Sequence, residues 1–372
     1  GGTVFKRKAS EIVKIIEICK KYNISYSDGG VVFTSPPREM QRLVNTCIKH
    51  GINLNTSYIY ERSADEIEKI VELCQKYDVD YTRGNGLFER CSYDLEDIFK
   101  ACIDAGIDYK NSSTVYRRKG HEIRELVEVC KECGINYKDG GLLFRRKADE
   151  IRDIALVCEK YGISYKNGGT IFMKTAKDIE GIALFCHDNG INYKDGGSIF
   201  RKSVDDLREL VDVCRRYGIN YQDGGTIYNR SASEVEEIVK ICDDNGISYK
   251  NSGSLFGKDP KEVQKIIDVC RKYGIKCTKS STIFRRSADE IEKTVEICQK
   301  NGVDYRNGGS LFKAVPENVQ SIIDICRKYN IDCSKGGTAF TKSPEVLERL
   351  GKVCQDNNIS CTGNILLCNP DK

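Results

Sequence analysis

The stretch Tyr58-Ile59-Tyr60-Glu61-Arg62-Ser63-Ala64-Asp65-Glu66-Ile67, continuing as Glu68-Lys69-Ile70-Val71-Glu72-Leu73-Cys74-Gln75-Lys76-Tyr77, decides the fold. Ser63 followed by Glu66 is a capping box, in which a hydroxyl and a carboxylate satisfy backbone N–H groups at a helix start. Ala64, Ile67, Ile70, Val71, Cys74 and Tyr77 then keep the i, i+3, i+4, i+7 spacing of one buried helical face. The pattern predicts a helix of about fifteen residues. It ends at Asp78, and Asn23, Gly51, Gly106 and Gly134 take the same place in other copies, as residues that tolerate a left-handed C-cap.

Working outward, the stretch is one of many copies. Aromatic residues recur at Phe5, Phe33, Tyr60, Phe88, Tyr116, Phe144, Phe172, Phe200, Tyr228, Phe256, Phe284, Phe312 and Phe340, and a cysteine column runs from Cys19 to Cys354 on the same beat. Every interval is 28 residues except one of 27. A fixed period of this length signals a solenoid, whose units bury their apolar faces against neighbours. The expected fold is all-α: a right-handed superhelical α-solenoid of thirteen repeats, each with one long helix and a short helical turn. A single array over 1–372 is expected, with units 3–30, 31–57, 58–85, 86–113, 114–141, 142–169, 170–197, 198–225, 226–253, 254–281, 282–309, 310–337 and 338–365. Residues 366–372 begin an incomplete unit, and Gly1 to Phe5 enter in mid-motif, so a segment of a longer array is expected.

Between helices the chain is short. After the helix stop and an apolar residue, twelve of thirteen units place Ser, Asn or Asp, the composition of a second N-cap. About one helical turn then fits before the usual Gly-Gly. Nine units place Thr or Ser before the apolar-aromatic pair, where it can cap a further short turn into the long helix. The alternative makes Thr-Ile-Phe a short parallel strand after a glycine turn, giving an α/β horseshoe of the leucine-rich-repeat type. The aromatic column itself reads as core, because an apolar residue precedes it in the well-formed units.

Nineteen cysteines do not read as a disulfide scaffold, because thirteen hold one helical repeat position suited to a small buried thiol. Unpaired thiols in this number point to a reducing, intracellular compartment. No apolar run is long enough to span a membrane. Cys130 and Cys133 form a C-x-x-C without a second pair at matching spacing, and His50, His121 and His187 share no repeat position. No metal, cofactor or enzymatic activity is expected.

Two adjacent columns behave differently. The residue after each aromatic varies: Lys6, Thr34, Glu61, Glu89, Arg117, Arg145, Met173, Arg201, Asn229, Gly257, Arg285, Lys313 and Thr341. The next is basic in eleven of thirteen copies: Arg7, Arg62, Arg90, Arg118, Arg146, Lys174, Lys202, Arg230, Lys258, Arg286 and Lys342, with Ser35 and Ala314 the exceptions. A net charge of only +4 hides this segregation. A periodic cation beside a variable residue suits a polymer of repeating charge and variable units, which is nucleic acid. The constant column would hold phosphates and the variable one would read bases. A second variable column lies in the loops at Asp28, Arg83, Asn111, Asp139, Asn167, Asp195, Asp223, Asn251, Lys279, Asn307 and Lys335, where tight turns also favour Asp and Asn.

The run Thr282-Ile283-Phe284-Arg285-Arg286-Ser287-Ala288-Asp289-Glu290-Ile291, leading to Cys298-Gln299-Lys300-Asn301-Gly302-Val303, resembles the second half of the mitochondrial transcription termination factor repeat. The glycine pair and single variable residue are more distantly similar to transcription-activator-like effector repeats. The resemblance implies a helical solenoid binding nucleic acid along a basic groove, although both families have longer, two-helix repeats. Packed helices lie ~8–10 Å apart and bases along one strand about 3.4 Å, so one repeat per base would require a tightly wound superhelix. The expected function is modular, sequence-specific nucleic-acid binding by a monomer, with duplex DNA favoured over RNA. The rival is a protein-interaction scaffold, which an exposed apolar stripe would favour.

Overall fold

The computed structural model describes residues 7–27, 30–82, 86–112, 114–223, 225–251, 253–277, 282–307, 309–361 and 366. Among them are thirteen α-helices: α1 (Ala9–Lys21), α2 (Pro37–Lys49), α3 (Ala64–Lys76), α4 (Ser92–Ala105), α5 (Gly120–Glu132), α6 (Ala148–Tyr161), α7 (Ala176–Asp188), α8 (Val204–Tyr217), α9 (Ala232–Asp244), α10 (Pro260–Tyr273), α11 (Ala288–Asn301), α12 (Pro316–Lys328) and α13 (Pro344–Asp356). The chain forms two compact units, Gly1–Glu180 with Lys194–Gly197, and Gly181–Tyr193 with Ser198–Lys372. In the first, α1 to α6 each pack on the next helix in sequence, and in the second α8 to α13 do the same. Each unit is therefore a solenoid-like stack.

The helices are 13 or 14 residues long. Ser63, Ser203, Ser231, Asp259, Ser287 and Ser343 accept an N–H from the third helical residue. Where Lys8, Lys119 or Lys147 takes the cap, an ammonium has no acceptor, and only the carboxylate half of the box forms. Glu11, Glu122 and Glu150 accept those lysines' backbone N–H groups. Each helix stops at a left-handed residue, glycine in most copies and Asn23, Asp78, Asn330 or Asn358 in the others. The next residue folds back, as Ile24 donates its N–H to Cys19 O at 2.9 Å and Ile331 to Cys326 O at 2.7 Å. The column cysteine thus supplies a buried thiol and the carbonyl that closes its helix.

The connections depart from two expectations. The segment read as a second N-cap and brief helix is an Asx turn: Asp80, Asn136 and Asp304 side chains accept the N–H two residues on, at 3.0, 3.1 and 3.0 Å. The short helical turn follows the glycines, in 3₁₀ form, as at Thr170–Met173 and Thr226–Asn229. No strand occurs among the described residues, so the horseshoe does not form. The three to five residues available close i→i+3 bonds locally, such as Lys174 N–H to Ile171 O at 3.1 Å. The Thr/Ser column does not cap its own turn. It donates to the second glycine position one repeat on, Thr114 to Gly141 O at 2.9 Å and Thr282 to Gly309 O at 3.0 Å.

The core of each unit is built from repeating columns. Phe88, Phe144, Phe256 and Phe312 are 0–2% exposed, and the described column cysteines are as deeply buried. Burial pushes Cys47, Cys74 and Cys102 up to about 12, away from thiolate chemistry. Backbone bonds join successive loops, Asp108 N–H to Lys138 O and Asn136 N–H to Lys166 O at 2.7 Å in the first unit, Asp304 N–H to Ser334 O at 2.7 Å in the second. No helix of the described residues is long and apolar enough to cross a membrane.

Two helical glycines mark close approach. A Cβ on Gly351 of α13 would lie 2.4 Å from the Tyr329 ring, and one on Gly120 of α5 would meet Asp97 of α4. Helix propensity favours Gly→Ala by about 1 kcal/mol, whereas overpacking costs about 1–3 kcal/mol. Gly351→Ala should therefore lower the urea midpoint, against its propensity; a raised midpoint would refute the packing argument.

Candidate nucleic-acid interface

The constant basic column is built into the joints between repeats. Each of its seven arginines donates Nε–H to the carbonyl of the aromatic residue one repeat on: Arg7 to Phe33, Arg62 to Phe88, Arg90 to Tyr116, Arg118 to Phe144, Arg146 to Phe172, Arg230 to Phe256 and Arg286 to Phe312, at 2.8–3.1 Å. Nη2 reaches the following carbonyl, that of the variable residue, in Arg62 to Glu89 at 2.7 Å and Arg230 to Gly257 at 3.1 Å, and likewise in Arg7 to Thr34. Nη1 of Arg118, Arg146, Arg230 and Arg286 pairs with Glu122, Glu150, Glu234 and Glu290 at 3.1–3.5 Å. These four side chains are only 15–18% exposed. A guanidinium fork fits two adjacent carbonyls, and their hydrogen bonds to a charged donor are the strong kind.

The column's constancy therefore has a structural cause. In four of its eleven cations the charge is also answered by a capping glutamate. Glu122 is held below the ordinary carboxylate range first by the Lys119 N–H and then by Arg118, and Glu234 by the Ser231 N–H and Arg230. Depressed carboxylates stabilise the fold at neutral pH and lose that contribution as acid protonates them. Lys174, Lys202, Lys258 and Lys342 are half-buried at the same position.

The variable column lies at the end of each 3₁₀ turn. Thr34, Glu61, Arg117, Arg145, Met173, Arg201, Asn229, Gly257, Arg285, Lys313 and Thr341 are exposed, Glu89 is half-buried, and Lys6 lies outside the described residues. Of the loop column, Asp28, Arg83 and Lys279 also lie outside them, and several others bond within their own turn. Asn111 donates to Asp108 at 2.9 Å, and Asp223 accepts from Asn220 at 2.7 Å.

Sequence reasoning missed a second basic column. In six of thirteen repeats a cation follows the loop tyrosine, Lys110, Lys138, Lys166, Lys194, Lys250 and Arg306, all exposed, while the others place Ser27, Asn55, Thr82, Gln222, Thr278, Ser334 and Thr362 there. Lys110 reaches the Asp78 carboxylate of the previous helix stop at 2.6 Å, while Lys166 and Lys250 lie over Gly134 and Gly218. Cations there complement the negative helix C-terminus. In the second unit a groove of about 330 Å³ is lined by Asn220, Asp223, Thr226, Lys250, Asn251 and Gly253. Gly257 of the variable column sits with its Cβ position 3.7 Å from Thr226. The exposed lysine, the loop amides and the variable residue thus border one loop face.

The helix exteriors are charge-balanced across repeats, as in Lys160 with Glu180 at 2.7 Å and Lys272 with Glu292 at 2.9 Å. Of the large exposed apolar residues, Leu156 and Leu184 share one repeat position and Ile48 and Ile103 another, while Val13, Tyr93, Met173 and Val353 stand at four others. No group of three metal-ligating side chains occurs among the described residues. No protein-family model matches this chain, and neither a curated protein nor a solved structure is significantly similar to it.

Replacing Arg118 by Lys should lower stability by about 1–3 kcal/mol, because a point donor leaves a buried carbonyl unpaired. The reverse change, Lys202→Arg, should raise the urea midpoint. Equal stability of Arg and Lys at both positions would show that the fork is not what the joint requires.

Proposed function

We propose that the loop face binds nucleic acid, duplex DNA in preference to RNA, with Lys110, Lys138, Lys166, Lys194, Lys250 and Arg306 meeting phosphates and the variable column, Thr34 through Thr341, reading base edges. The constant column, Arg7 through Lys342, then acts chiefly as a positioning column: its arginines grip the backbone on which the variable side chain is mounted. What carries the reading is an exposed residue that changes from copy to copy, joined in six of the thirteen repeats by an exposed loop cation. No repeat position carries more than two of the large exposed apolar residues among those described, which are fewer anchors than an extended peptide groove would use. Duplex is favoured because the aromatic column is core and so offers no stacking platform for unpaired bases. A right-handed winding of the repeats belongs to this proposal.

Selection from randomised duplex and single-stranded oligonucleotide pools, followed by salt titration, tests it. Alanine at Lys110, Lys138, Lys166 and Lys194 should flatten the salt slope by up to about 0.9 per lost phosphate contact. Glu61→Gln or Asn229→Ala should alter preference at a single position and leave that slope unchanged. No enrichment from any pool, or affinity indifferent to salt, would overturn the reading.

A further inference from the structure

We propose that Cys270 with Cys277, Cys326 with Cys333, and Cys354 with Cys361 are three intrarepeat dithiol sites, which close to disulfides under a peroxide. The inference is independent of nucleic-acid binding. Every repeat carries the helix cysteine, and seven residues later nine repeats place Tyr and one Leu, while only these three place a second Cys. Backbone hydrogen bonds bring the two positions together: Ile275 N–H to Cys270 O at 2.8 Å, Ile331 to Cys326 O at 2.7 Å and Ile359 to Cys354 O at 2.8 Å each tie the helix cysteine to a point two residues before its partner. Within each pair the thiols are hydrogen-bonded to one another.

The sites are enclosed. Cys270, Cys326 and Cys354 are 1, 0 and 4% exposed, Cys333 and Cys361 are buried, and Cys277 is half-buried. Cys242, Cys298 and Cys326 of the preceding repeats are also electrostatic neighbours of Cys277, Cys333 and Cys361, but only the intrarepeat pairs are hydrogen-bonded, and no group of three metal ligands forms among the described residues. All the described cysteines are free thiols. The thiol of Cys270 hydrogen-bonds the Cys277 thiolate and lowers it to about 7, and Cys326 does the same for Cys333. Burial instead raises Cys361 to about 12, so the third pair holds less thiolate and should close more slowly than the other two.

Closure balances with one equivalent of peroxide. A thiolate attacks a peroxide oxygen, becoming a sulfenic acid as the O–O bond breaks and the other oxygen leaves as hydroxide. The partner thiol then attacks the sulfenic sulfur, forming S–S and expelling the second oxygen as water. In sum two thiols and hydrogen peroxide give one disulfide and two waters. Each bond would fasten the last turn of α10, α12 or α13 to the loop that follows it. Repeats with Tyr at the second position lack this means.

The test treats the intact chain with hydrogen peroxide, alkylates residual thiols under denaturing conditions and maps the peptides by mass spectrometry. Bridged, unalkylated peptides lighter by two hydrogens are expected at 270/277, 326/333 and 354/361. In parallel, phenylarsine oxide, which bridges paired thiols, should bind the reduced chain at three equivalents, and the C277Y/C333Y/C361Y variant at none. That variant installs the residue used by nine other repeats, and its circular dichroism should match the parent. Full alkylation at these positions after peroxide, bridges to cysteines of other repeats, or undiminished arsenical uptake by the variant would each overturn the proposal.

Discussion

The structure depends on how one repeat grips the next where no strand ladder is available. A 3₁₀ turn of three to five residues leaves carbonyls that cannot be satisfied within the turn, and they face the preceding repeat. The Arg118 fork answers one of them at Phe144 O, and the Arg62 fork answers two, at Phe88 O and Glu89 O. An unpaired carbonyl in so confined a place would cost about 1–3 kcal/mol. The planar guanidinium, with its donors in fixed geometry, suits paired carbonyls better than any other side chain. Threonine hydroxyls and loop N–H groups add two parallel sets of bonds, so the joints of Arg118 and Arg286 are each fastened at three points.

This arrangement separates stability from display. Aromatic and cysteine columns fill the interior, the arginine column and the capping glutamates fix the turn, and the variable side chain projects from a backbone that neighbouring groups hold in place. A residue whose support comes from its carbonyl is free to change its side chain. Variation at Thr34, Glu89 or Gly257 is therefore compatible with an unchanged scaffold, a property that modular recognition of a polymer requires. The exposed Lys110, Lys138 and Lys166 carry charge on that face, while the helix exteriors are balanced by ion pairs such as Arg216 with Glu236. Surface pairs of that kind contribute little each.

Much of the fold was legible in the residues. The capping serines, the helical spacing and the left-handed stops each follow from local chemistry, and Asn330 and Gly162 end their helices for the reason their side chains suggest. The connecting segments were less legible. Asn136 suits an N-cap and an Asx turn equally, and Thr-Ile-Phe suits a strand and a 3₁₀ turn. Space between packed helices decides such cases, and no local propensity reports it. The lysine column was overlooked for a related reason: it lies in turns whose composition any loop would share, although its period was visible.

By itself, the sequence determined the period, the helices and their ends, and the identity of the buried columns, because these depend on interactions within about one helical turn or on a pattern repeated many times. It also marked which position varies and which does not. Only the tertiary structure decided what the constant arginine does, since its partners are carbonyls 26 and 27 residues away that every residue type possesses. A backbone acceptor leaves no signature in sequence, so a cation serving one reads there as a cation awaiting a phosphate.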